Sequence, residues 1–140
     1  MLLGPKIGRE TWYTPKREQA KLDEDPSYIA TAYLIKVPTD LDQVEIANAS
    51  ATVDSMGNVS LTPAHAALVS CRRCVVGSRN QAKEGDDGKP VLAEFVGVKD
   101  YAGKIVGAAA EDTCLIAPKI RMEILDHIRS LMEVTEADFA

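Results

Sequence analysis

Cys71 and Cys74 stand three positions apart, and with Cys114, His65 and His127 they are the side chains whose types could hold a metal or run thiol chemistry. Zinc needs four ligands in a tetrahedron, usually two such pairs or one pair with two histidines. Cys114, His65 and His127 lack partner spacing, and each falls on a different predicted element. A redox pair wants its first cysteine at a helix N-terminus, where the dipole lowers the thiol pKa. Cys71 falls late in a predicted helix, where the dipole works against a thiolate, although Arg72 and Arg73 could offset that locally. The pair therefore reads as structural and half-buried; a metal or thiol protein using Cys71 and Cys74 is the alternative.

The remaining candidates read in the same way. His65 lies in the first turn of a predicted helix, where a cation is disfavoured, and is expected to be a neutral surface residue. His127 has no nucleophile or orienting acid singled out for it. Gly97, Gly103 and Gly107 are not followed by Gly-Lys-Ser/Thr and do not form a phosphate loop. Glu84, Asp86 and Asp87 lack the alternating oxygen ligands of a calcium loop, and Pro90 and Val91 interrupt them. No catalytic, cofactor-binding or metal-binding residue is assigned, and no cofactor is expected.

Composition narrows the classes. With 16 basic against 21 acidic residues, the net charge of −5 argues against nucleic acid as the main partner. No run of about 18 apolar residues is present to span a membrane, and Met1-Leu2-Leu3 meets Gly4-Pro5-Lys6 without a secretory apolar region. Three cysteines, an odd number, suit reduced thiols in a cytoplasm. Aromatics are only 5% of 140 residues, so the core must be built from small aliphatic pieces. The length suits one domain.

Residues 1–27 carry Pro5, Pro15 and Pro26 among mixed charges and read as an extended N-terminal arm, with a helical turn at Lys16–Leu22. Trp12 and Tyr13 are costly to leave in water and are expected to dock on the domain or a partner. Residues 28–140 read as a single α+β domain. Tyr28–Val37 is the best strand, stopped by Pro38. A strand from Val44 to Asp54 follows from the alternation of Val44, Ile46, Asn48 and Ser50, although a helical turn also fits there. Gly57-Asn58 is a hairpin turn signal, returning through Val59–Leu61.

Thr62-Pro63 starts a helix, with Thr62 as N-cap and Pro63 in the first turn. Its apolar series Ala64, Ala67, Leu68, Cys71, Cys74 and Val75 runs to Val76, and Gly77 stops it. Residues 78–90 read as loop and Val91–Val98 as a strand, while 100–112 is either loop or short helix. Pro118–Glu133 is the second main helix. Ile120, Ile124, Leu125, Ile128, Leu131 and Met132 form one stripe, expected to pack on its own domain. The expected fold is thus α+β: a small, mostly antiparallel sheet from Tyr28–Val37, Val44–Leu61 and Val91–Val98, with two main helices packed on one face.

The order of these features resembles the tail assembly chaperones of long-tailed bacteriophages. Asp25-Pro26-Ser27-Tyr28 leads into an early apolar strand. Val75-Val76-Gly77-Ser78-Arg79-Asn80 gives the apolar–Gly helix exit, and Asp87-Gly88-Lys89-Pro90-Val91 the Asp-Gly-x-Pro turn. Leu131, Thr135, Glu136 and Asp138 close the chain as Leu-x-x-x-Thr-Glu-x-Asp. Relatives often carry Trp soon after that Gly, where Ser78-Arg79 stand here. The resemblance implies a non-enzymatic protein that binds the tape measure protein and recruits tail tube subunits in the host cytoplasm during assembly, and that is absent from the virion. The alternative in the same context is a structural virion component, a head–tail completion or minor tail protein forming a ring.

Overall fold

The computed structural model describes residues 7–132, so Thr135, Glu136 and Asp138 lie outside the described residues. The fold is α+β. Its central sheet has three antiparallel strands in the order β1-β2-β5: β1 (Glu10–Tyr13), β2 (Ala32–Lys36) and β5 (Val75–Arg79). The remaining strands form three separate two-stranded hairpins. These are β3 (Ala51–Val53) with β4 (Val59–Leu61), β6 (Ala82–Glu84) with β7 (Pro90–Leu92), and β8 (Val98–Lys99) with β9 (Ile105–Gly107). The helices are α1 (Lys16–Glu24), α2 (Asp40–Ala49), α3 (Pro63–Cys74), α4 (Ala110–Cys114) and α5 (Pro118–Met132).

The core explains why α3 is central. Its inward residues Ala66, Ala67, Ser70, Cys71 and Cys74 are all small, so α5 and α2 can both lie close against it. α5 supplies the bulk through Ile124, Leu125 and Ile128, each fully buried, while Ile120, Leu131 and Met132 pack at the margin. The expected own-domain packing of this stripe is what the structure shows. Tyr33 and Ile35 come in from β2 to meet the same cluster. Each such large aliphatic side chain contributes about 1.5–3 kcal/mol by leaving water.

Several elements differ from the sequence reading. Within the expected N-terminal arm, residues 10–24 are built into the domain: Trp12 pairs with Leu34 and Tyr13 with Tyr33, and α1 is a full helix over Lys16–Glu24. Residues 44–54 are not one strand: only Ala51–Val53 of them is β. Asp40–Ala49 is helical because Thr39 and Asp42 form a reciprocal capping box. Asp42, Ile46 and Ala49, at helical spacing, then point inward.

Thr62 does not cap α3; its hydroxyl donates to the Ala49 carbonyl at 2.6 Å and ties α3 to the end of α2. Helix α3 ends at Cys74, because the β-branched Val75-Val76 open β5. Gly77 is therefore inside a strand, where a Cβ would stand 3.2 Å from Leu34 Cβ. The stretch 78–90 is not all loop, since it holds the end of β5 and all of β6. The strand expected over Val91–Val98 is split between β7 and β8, so neither it nor residues 44–61 join the central sheet.

Candidate binding surfaces

The cysteine pair is more deeply placed than half-buried. Cys71 and Cys74 are both fully buried in the core cluster, and burial pushes each thiol up to about 12. A thiolate is therefore suppressed, and neither neighbouring arginine rescues it: Arg73 Nε donates instead to Asp42 Oδ1 at 2.9 Å. Cys114 is exposed at the end of α4. Among the described residues, no group of three or more His, Cys, Asp or Glu could hold a metal ion.

His65 is exposed, as expected for its place in the first turn of α3. His127 has gained a neighbour that sequence reasoning did not supply. Its ring sits 4.3 Å from the Tyr13 ring, and its buried Nε2 has no hydrogen-bond partner among the described residues. Burial lowers its pKa. Beside it, Glu123 Oε1 accepts from the Tyr13 hydroxyl at 2.7 Å and from the Lys16 backbone N–H at 2.6 Å. A carboxylate from α5 thus satisfies a free donor at the start of α1. Trp12, the other aromatic expected to dock, stays about half exposed, with the Arg79 guanidinium 4.6 Å from its ring centroid.

The Asp87-Gly88 motif makes the turn between β6 and β7. Asp87 Oδ1 accepts from the Lys89 N–H at 3.0 Å, and Gly88 takes a positive φ of 76°. Glu84, Asp86 and Asp87 are exposed around it, as a solvated loop would be.

Two surfaces stand out. The first is the β3–β4 hairpin. Ala51 faces Leu61 and Val53 faces Val59 across the ladder, so these four share one face. Val53, Val59 and Leu61 are 66%, 65% and 80% exposed, and Met56 at the turn is 86% exposed. Leu41 and Val44, on the preceding helix, are also more than half exposed. A single exposed aliphatic residue means little, but a hairpin whose apolar face is uncovered is a candidate interaction surface.

The second is a groove of about 520 Å³ between the end of α3 and the β8–β9 hairpin. Asp42 is its organiser. Its carboxylate takes Arg73 on Oδ1, and Oδ2 stands 3.2 Å from Lys36 Nζ and accepts from the Thr39 N–H at 2.9 Å. Burial alone would raise this carboxyl, but the bonds from Thr39 and the Lys36 ammonium outweigh it and hold the pKa below the usual range. Lys36 Nζ also donates to the Val106 carbonyl at 2.7 Å, which fixes β9 against β2. The sequence signal for this hub was the Thr39-x-x-Asp42 spacing, which the strand reading of residues 44–54 obscured.

No helix among the described residues is long and apolar enough to cross a membrane. Comparison of the chain with protein-family models, with curated proteins and with solved structures finds no match.

Proposed function

We propose that this chain is a tail assembly chaperone of a long-tailed bacteriophage, a non-enzymatic protein that binds the tape measure protein and recruits tail tube subunits in the host cytoplasm. The observation that carries this reading is the uncovered apolar face of β3–β4, where Val53, Val59, Leu61 and Met56 are each more than 60% exposed. A protein that holds an aggregation-prone partner needs such a face, and a hairpin projecting from a rigid α3–α5 core presents it at little cost to the core. The order of motifs that resembles the tail chaperones supplies the identity of the partner.

The test is co-expression with the tape measure protein of a long-tailed phage. Soluble complex is expected with the native chain and loss of complex with the double variant Val59→Lys, Leu61→Lys. A tape measure protein that stays insoluble with and without the chain would sink the reading. So would a native chain that runs on its own as a closed ring of fixed stoichiometry.

A further inference from the structure

The groove at the end of α3 is chemically unlike the rest of the chain. Lys36, Arg72 and Arg73 line it with Asp42 as the one carboxylate, in a protein whose net charge is −5. Two helix ends also reach it. Thr39 caps the N-terminus of α2, and Arg72 and Arg73 belong to the last turn of α3, so partial charges of roughly +0.5 and −0.5 cancel. Asp42 answers Lys36 and Arg73 together. Arg72 is exposed and within 4.0 Å of no carboxylate among the described residues. Among the described residues, the groove therefore keeps a surplus of positive charge beyond what Asp42 answers.

The facing wall is apolar. Val98 is half exposed, Val106 is partly exposed, and the buried Gly107 and Ala108 form the floor. This wall is held close to the arginines by Gly107, whose missing side chain leaves room for the Arg72 carbonyl: a Cβ there would stand 2.4 Å from that oxygen. Ala108 N–H donates to the same carbonyl at 2.9 Å. The site is thus a fixed strip of hydrocarbon beside a movable guanidinium.

We infer that this groove takes an acidic segment of a partner polypeptide, one that places a carboxylate on Arg72 and an apolar side chain against Val98 and Val106. This rests on the reading that the chain works by holding another polypeptide, and it names the chemistry of one of the places where it does so. Charge complementarity selects the carboxylate. The valine wall favours a peptide over a free phosphate, which would satisfy the arginine and leave the hydrocarbon wet. Lys36, already committed to Asp42 and the Val106 carbonyl, sets the depth of the groove, and Arg72 is free to close on the ligand.

The experiment is an amide-shift titration of the full chain with a peptide of about twelve residues alternating Leu and Glu, beside Leu/Lys and Ser/Glu controls. Shifts are expected at residues 72–73, 98 and 106–108 with the Leu/Glu peptide only, weakening as salt is raised. Arg72→Glu should weaken binding about tenfold or more, and Val98→Ser several-fold. The side chains of Arg72 and Val98 are both outside the core, so folding is not at stake. Equal binding of the Leu/Lys peptide, equal binding by Arg72→Glu, or absence of shifts in this groove overturns the inference. Shifts there with inorganic phosphate but not with the peptide also overturn it. If the peptide gives no shifts in this groove while the native chain still solubilises the tape measure protein, the groove falls and the assembly reading stands. If the native chain fails to hold that protein while the peptide still shifts these amides, the assembly reading falls and the groove stands.

Discussion

The Tyr13 hydroxyl donates to Glu123 Oε1 at 2.7 Å, joining the first strand to the last helix across 110 positions of sequence. The same oxygen accepts the Lys16 N–H. One carboxylate therefore secures both β1 and the start of α1 to α5. Removing it takes away the one bond that the phenol and the helix-end donor each make among the described residues. Glu123→Ala is expected to cost about 1–3 kcal/mol. Hydrogen exchange should show the loss concentrated in residues 10–24. Uniform loss across the chain would mean that Glu123 acts through α5 itself and not as this link.

His127 stacks on Tyr13 at the same junction, and burial lowers its pKa from the ordinary 6.5. A folded-state pKa below the unfolded one gives stability that is present above pH 6.5 and lost as pH falls through the folded value. The denaturation midpoint should therefore drop as the pH falls below 6.5. His127→Phe keeps the ring on Tyr13 and removes the proton site, so the drop should flatten. The variant should also gain about 1 kcal/mol at neutral pH by removing the unpartnered Nε2. An unchanged slope in the variant would assign the acid sensitivity to the carboxylates instead.

The alkaline side has different owners. Cys71 and Cys74 are raised from 9.0 to about 12 and Tyr33 from 10.0 to about 12, all chiefly by burial; Tyr13 is raised further by burial and the Glu123 carboxylate. Raised folded values mean stability that is full below the unfolded pKa and lost as pH rises towards the folded one. Urea midpoints should hold to about pH 9 and then fall. Thiolate absorbance should appear together with unfolding. Thiolate appearing first, in a folded chain, would contradict the burial of the pair.

Asp42 is the side chain whose loss should matter most near the groove. Asp42→Asn leaves Lys36 and Arg73 without their carboxylate, at side-chain exposures of 13% and 37%. Full burial would put the cost at about 3–5 kcal/mol, and the partial exposure of Arg73 reduces that to about 2 kcal/mol. Gly107→Ala should cost about 1–3 kcal/mol by a separate route, since backbone at Arg72 must move to admit the methyl. Chemical denaturation checks both. A change below about 0.5 kcal/mol in either would place it with ordinary surface substitutions.

Helices α3 and α5 were legible because their signals are local: Pro63 and Pro118 at the first turns, then apolar residues at helical spacing. α2 was hidden because Val44, Ile46, Asn48 and Ser50 mimic a strand, and the deciding signal lay just upstream in Thr39 and Asp42. β1 was missed because Thr11, Trp12 and Tyr13 form a run too short to stand out among the charges. Its strand state comes from pairing with Tyr33–Lys36 far along the chain. The cysteine pair was read as structural and half-buried from its place on the helix, and the structure buries both thiols fully. Neither candidate surface was visible beforehand, since each is defined by which residues the fold leaves uncovered.

The tie between Tyr13 and Glu123 also dictates an order of events at the ribosome. The bonds from Tyr13 and Lys16 to Glu123 cannot form until α5, some 110 positions later, has emerged and taken its place. A truncated product of stalled synthesis lacking α5 would leave β1 and α1 without this anchor, for quality-control proteases to find.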